Sequence, residues 1–141
     1  SKTSDVFKQI EENKPINLID RLNSHLIDPL YKNNICQHMC IYGTNIRYII
    51  HYLPFIQINY QNDDGNALFH LALQYRRFDL VHYILKKIEF IDINIKNKKG
   101  KDVLQSAINI HNCKIIFKIL VNINKFNKWP NDVIWIISSF L

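Results

Sequence analysis

Glycine and proline are scarce in this chain, three and four residues respectively in 141. That is too few for a turn-rich all-β protein, whose many short strands need them at the turns. Cysteine is too sparse for a disulfide framework. The three present, Cys36, Cys40 and Cys113, form an odd and scattered set that suits a reducing compartment. No apolar run reaches the roughly 18 residues that a membrane-spanning helix needs. The first residues, Ser1-Lys2-Thr3-Ser4-Asp5, lack the apolar stretch of a secretory signal. The expectation is a soluble chain, cytoplasmic and/or nuclear, with no membrane partner. Alanine and arginine are used little, whereas isoleucine, asparagine and lysine are used heavily. That bias reads as AT-rich coding, of a viral or parasite kind, and carries no chemical message by itself.

What is present is apolar substance. Hydrophobic residues make up 48% of the chain, so it is not disordered, and its length suits one compact domain with a respectable core. The formal net charge is +6, which admits nucleic acid or an acidic partner in principle. Much of the positive charge sits in Arg76-Arg77 and in Lys96, Lys98, Lys99 and Lys101, where turns are expected. No aromatic or arginine-rich stripe accompanies them, as base stacking would require. They read as solvated turn charges, and nucleic acid is not an expected partner.

The strongest signal is an internal repeat, which decides the fold wherever it occurs. Gly65-Asn66-Ala67-Leu68-Phe69-His70-Leu71-Ala72-Leu73 lies 35 residues before Gly100-Lys101-Asp102-Val103-Leu104-Gln105-Ser106-Ala107-Ile108. At the same offset, Leu80, Val81, Ile84 and Leu85 match Ile115, Ile116, Ile119 and Leu120. Each set occupies one face of a helix. A short extended piece, Ile93-Asn94-Ile95, is expected between units, with Ile58-Asn59-Tyr60 as its earlier counterpart. The unit is turn, helix, short loop, helix, loop.

A weaker unit precedes these two. Ile35–Tyr42 reads as its first helix, with His38 standing 32 residues before His70. Ile46, Tyr48, Ile49, Tyr52 and Leu53 supply its second, ended by Pro54. Earlier still, Ser4-Asp5 could cap a helix over 5–13, and Pro15 could open another over 15–25.

Ala67-Leu68-Phe69-His70-Leu71-Ala72 resembles the signature of the ankyrin repeat, Thr-Pro-Leu-His-x-Ala, with the Pro missing. In the next unit Gln105 stands in the His place, while Gly100, Leu104 and Ala107 keep theirs. The resemblance spans about 5–124 and rests on 60–121. It implies an all-α ankyrin-repeat solenoid of 3–4 helix-turn-helix units, over 5–30, 31–60, 61–95 and 96–124. It implies a structural role for His70, bonded to turn backbone. It also implies a concave face of turn tips and first helices on which a host or cellular protein binds. The residues expected there are Asp63, Asn66, Gln74, Arg76, Arg77, Lys99, Lys101, Asn109 and His111.

Residues 125–141 leave the register. Pro130 suits the first position of a helix, and Asp132 suits its positive end. A capping helix is one reading, because terminal repeats need caps. The segment also resembles the opening of an F-box, on Trp129, Pro130, Asp132, Val133, Ile134, Ile137, Ser139, Phe140 and Leu141. Poxvirus ankyrin proteins carry a truncated F-box-like element (PRANC) in this position. The resemblance implies recruitment of a Skp/cullin ubiquitin ligase, with the repeats selecting the target.

Catalytic constellations are not found. Cys36 and Cys40 are one helical turn apart, but His38 would point elsewhere and no fourth ligand is evident for a structural zinc. The three glycines stand too far apart for a phosphate loop. Glu11-Glu12 and Asp63-Asp64 read as solvated or capping charges. The expectation is a non-enzymatic interaction module without cofactor or metal, masking a host protein in the way the IκB family does. The alternative is the ligase adaptor.

Overall fold

The protein is described by a computed structural model over residues 2–16 and 21–126. The F-box-like residues Trp129 to Leu141 lie outside the described residues. Seven α-helices account for about half of the described chain: α1 (Lys2–Glu11), α2 (Ile35–Ile41), α3 (Ile46–Tyr52), α4 (Leu68–Gln74), α5 (Phe78–Leu85), α6 (Val103–Asn109) and α7 (Cys113–Lys125). Three short 3-10 helices join them, Arg21–His25, Leu53–Phe55 and Ile88–Phe90. Among the described residues there is no strand beyond an isolated bridge between Ile27 and Asn34. None of their helices is long and apolar enough to cross a membrane.

The helices pair as α2 with α3, α4 with α5 and α6 with α7, while α1, α2, α4 and α6 touch in succession. A row of first helices therefore carries one apolar face from unit to unit, and the second helices lie behind it. Ile35, Met39, Leu68, Ala72, Leu104 and Ala107 are buried along this row, and Ile49, Leu80, Ile84 and Ile119 close it from behind. None of these helix pairs could bury both its faces alone, so each depends on its neighbours for most of the apolar surface it removes from water.

Helix starts differ in their caps, side-chain oxygens at α2 and α6 but none at α4. Asn34 caps α2, Ala67 precedes α4 and Asp102 caps α6. The first helices all finish on a left-handed residue: Asn13, Gly43, Arg76 and His111, with φ between 54° and 73°. That conformation closes the helix end, as Thr44 N–H donates to Met39 O at 3.0 Å and Arg77 N–H to Ala72 O at 2.8 Å.

Four sequence expectations are corrected here. Helix α1 begins at Lys2, so Ser4 and Asp5 lie inside it rather than capping it. The expected helix over 15–25 is, among its described residues, only the 3-10 turn Arg21–His25. Asn23 and Ser24 are buried there, and Asn23 Nδ2 donates to Tyr52 Oη at 3.3 Å. Such short polar side chains compete with helical backbone bonding. The pieces at Ile58-Asn59 and Ile93-Asn94 are turns rather than extended chain: Tyr60 N–H donates to Gln57 O at 3.0 Å in the first, and the Asp92 carboxylate accepts Asn94 N–H at 3.0 Å in the second. Finally, the residue equivalent to His70 is Gln37, not His38, since both occupy the third helical position after the cap.

The turn ahead of each of α2, α4 and α6 holds a left-handed residue. Gly65 and Gly100 fill that place at φ 75°, and Lys32 fills it at φ 59°. A side chain in this region costs about 1–2 kcal/mol relative to glycine. Lys32 is exposed, so Lys32→Gly should raise unfolding stability by about 0.5–1 kcal/mol once glycine's greater unfolded entropy is deducted. Urea denaturation measures this, and an unchanged or lower midpoint would contradict it.

Candidate functional site

The turns are built from asparagine. Asn62 Oδ1 accepts the N–H groups of Asp64 and Asn66, both at 3.0 Å, and Asn97 Oδ1 accepts those of Lys99 and Lys101 at the same distance. Asp28 does this for the earlier turn, accepting Leu30 N–H at 3.3 Å and Tyr31 N–H at 2.9 Å. Each turn is then tied to the next. Asn62 Nδ2 donates to Asn33 Oδ1 at 2.8 Å, and Asn97 Nδ2 to Asn66 Oδ1 at 2.9 Å. Beside these lie backbone bonds of 3.0 Å, from Asp63 N–H to Tyr31 O and from Lys98 N–H to Asp64 O. The asparagine bias of the composition therefore has a structural use: short amides that donate and accept at once satisfy buried turn backbone.

The third helical residue supplies a second tie. Gln37 Oε1 accepts Asn34 N–H at 2.9 Å, and its Nε2 donates to Tyr60 O at 2.8 Å and Asn66 O at 3.2 Å. In the next unit, His70 Nδ1 accepts Ala67 N–H at 3.2 Å, which leaves the ring proton on Nε2, facing Lys101 O at 3.1 Å. Gln105 repeats the first half, with Oε1 accepting Asp102 N–H at 2.9 Å. Burial holds the His70 imidazole below its ordinary value, against the opposing pull of the Lys101 carbonyl, the Asp102 charge and the Ile95 carbonyl.

Between the first two of these turns and helices α2 and α4 lies a groove of about 330 Å³. Tyr31 and Asp64 line it from the turns, Ile41 and Tyr42 from the end of α2, and Leu71, Gln74 and Tyr75 from α4. Tyr42 and Tyr75 are equivalent residues, each the C-cap of a first helix. Of the residues expected on this face, Asn66 and Gln74 line the groove. Asp63, Arg76, Lys99, Asn109 and His111 are exposed at turn tips and helix ends, and Lys101 is half-buried with its carbonyl given to His70. Arg77 is otherwise engaged: its Nη2 donates to Thr44 O at 2.8 Å, and its Nε lies 3.5 Å from Asp79.

The three tyrosines escaped sequence reasoning. Their only signal was the 33-residue spacing of Tyr42 and Tyr75 directly after their helices.

Other reactive side chains are committed to the interior. His38 is buried between Phe7, in an edge contact, and Tyr42, whose ring is tilted to it, with ring centroids 4.9 and 4.7 Å away. Burial lowers its proton affinity despite the charges of Asp28 and Glu11. Burial pushes the Cys40 thiol up to about 12 and Cys36 higher still, so both stay protonated at neutral pH. Among the described residues no group of three or more His, Cys, Asp or Glu converges on one point. A second hollow, of about 560 Å³, lies on the outer helices beside Phe78, His82, Ile115, Phe117 and Val121.

No protein-family model matches the chain, and no curated protein matches it.

Proposed function

We propose that this chain is an ankyrin-type repeat module that binds another protein through the face formed by its turns and first helices. The carrying observation is the recurrence of one device, a side chain at the third helical position that caps its own helix. Gln37, His70 and Gln105 all do this, and the first two also reach the next turn. Glycines in the left-handed turn position at Gly65 and Gly100 recur with it. Such stacking presents a long, stiff surface, and stiffness lowers the entropic cost of association. Tyrosines on that surface supply large contact area at low conformational cost. The commitment of His70 to backbone bonds and of His38, Cys36 and Cys40 to the core supports binding over catalysis. In a viral or parasite setting, the bound protein is a host factor held in a masked state.

The F-box-like pattern from Trp129 to Leu141 favours a second reading, an adaptor that brings a Skp/cullin ligase to the bound target. Affinity capture from host-cell extract separates the two. If masking is the function, a chain lacking residues 129–141 still captures the target, and target levels in cells are unchanged by the full chain. A ligase component captured only by the full chain, with falling target levels, would replace masking by the adaptor reading. Target capture that survives Tyr42→Ala with Tyr75→Ala would count against the groove face altogether.

A further inference from the structure

The groove between the first two turns differs electrostatically from the molecule that carries it. The chain has net charge +6, yet no lysine, arginine or histidine lines this groove. Three tyrosine rings do, Tyr31, Tyr42 and Tyr75, between 43% and 52% exposed. An aromatic face carries negative charge density and attracts a cation above it. Asp64 stands at the rim, exposed, and its carboxylate has no ion pair among the described residues.

The remaining polar lining is already occupied on its oxygen side. Asn33 Oδ1 accepts from Asn62, Asn62 Oδ1 from Asp64 and Asn66 backbone, and Asn66 Oδ1 from Asn97. Of the lining carboxylate and amide groups, that leaves those of Asp64 and Gln74, both on exposed residues, available to an incoming group. Burial raises the Tyr42 hydroxyl, and the charge and hydrogen bond of Glu11 raise it further, which agrees with a negative surrounding. The volume, about 330 Å³, is at the small end of ligand clefts and suits one long side chain. Ile41 and Leu71 at its base would contact the methylene stem.

We propose that this groove is the specificity pocket of the binding face and takes a lysine or arginine side chain of the partner, its cationic head between the tyrosine rings and Asp64 and its stem on Ile41 and Leu71. The inference rests on the protein-binding reading above and narrows it to partners that present an exposed basic residue in an extended segment. An anionic side chain would meet Asp64 and the ring faces unfavourably. A neutral apolar one would leave the Asp64 side of the pocket without a counter-charge.

The test uses the full chain, labelled with nitrogen-15, titrated with a capped five-residue peptide, Gly-Gly-Lys-Gly-Gly. The same peptide with arginine, with trimethyl-lysine or with the neutral isostere norleucine completes the set. The cationic peptides should shift the amide signals of Leu71, Gln74 and Tyr75, saturably and less strongly at high salt, while the norleucine peptide should not. Tyr75→Ala should weaken lysine-peptide binding about 3- to 5-fold and Tyr75→Phe should preserve it, because the ring rather than the hydroxyl makes the contact. Asp64→Asn should weaken it about 3-fold. Tyr75 and Asp64 are surface residues, so unchanged melting curves confirm that the variants are folded.

Equal binding of the norleucine peptide, no shift with any cationic peptide, or full binding by both Tyr75→Ala and Asp64→Asn would overturn the proposal. A protein partner that contacts Gln74 but is indifferent to these two substitutions would remove the lysine pocket and leave the interaction module standing.

Discussion

His70→Gln should leave the protein close to its original stability at pH 7.5, whereas His70→Ala should cost about 3 kcal/mol. The alanine variant loses two roles at once. Ala67 N–H at the start of α4 loses its acceptor, and Lys101 O in the next turn loses one of its two donors, keeping only Asn97 N–H at 3.0 Å. Stranding the buried Ala67 N–H costs about 1–3 kcal/mol, and a cavity and the lost tie to the next turn add to it. Glutamine should fill both roles, because Gln37 already does so one unit earlier, accepting Asn34 N–H and donating to Tyr60 O and Asn66 O. The exchange also changes the response to acid. Unfolded, the imidazole titrates near its ordinary value of 6.5, and folded it titrates lower because burial disfavours the charged ring. Between those two values the unfolded chain holds one more proton, so stability falls as pH drops through the window and is level above it. His70→Gln should flatten that slope. His38, lowered in the same direction by burial, should leave a smaller slope behind. Urea denaturation of the three proteins from pH 7.5 to 5 reads both effects. Glutamine as damaging as alanine, or an unaltered acid slope, would mean that the tie between turns does not depend on this ring.

The second large effect is an asymmetry between two glycines that look alike in sequence. Gly65 and Gly100 share the same left-handed conformation, φ 75°. A methyl group at Gly100 would meet nothing within 4 Å, whereas at Gly65 it would stand 2.8 Å from Lys98 N and 3.0 Å from Asn97 Cα. Those are backbone atoms of the next turn and cannot step aside without breaking the Lys98 N–H bond to Asp64 O. Gly100→Ala should therefore cost about 1 kcal/mol, the conformational strain alone. Gly65→Ala should cost about 3 kcal/mol, adding the forced separation of two stacked turns. Equal losses in the two variants, by thermal or urea unfolding, would show that the turns are not in the close stacking described above.

The parts of the fold that could be read in advance were those where the repeating unit keeps its most demanding residues. Gly65 and Gly100 answer a backbone that favours glycine, and Ala72 and Ala107 answer a close approach of first helices, so both pairs announce themselves at one offset. The earlier unit hides because it meets the same demands with other residues. Lys32 accepts the left-handed strain, Met39 stands in the alanine place, and Gln37 does with an amide what His70 does with a ring. His38, one position away, offered a misleading match.

Asparagine misled in the opposite sense. Its abundance looked like coding bias, yet Asn62, Asn66 and Asn97 form the hydrogen bonds that tie one turn to the next. Polar ties of this kind follow no periodicity of hydrophobicity and are visible only when the turns are brought together. The groove was half readable for the same reason. Asn66 and Gln74 fell on the expected face by position within the unit, but Tyr31, Tyr42 and Tyr75 come from a turn and two helix ends that only folding assembles. Arg77, read as a solvated turn charge, has its guanidinium spent on Thr44 O.

The central claim is that this chain acts by binding a protein on the turn-and-first-helix face. Photo-crosslinking in host-cell extract tests it most directly, with benzoylphenylalanine placed at Gln74 in one variant and at Phe117, on the outer helices, in another. Both positions are exposed, so both variants should fold. A discrete protein adduct from position 74, reduced by unlabelled wild-type chain and missing from position 117, is the predicted result. An adduct from position 117 and none from 74 would contradict the account.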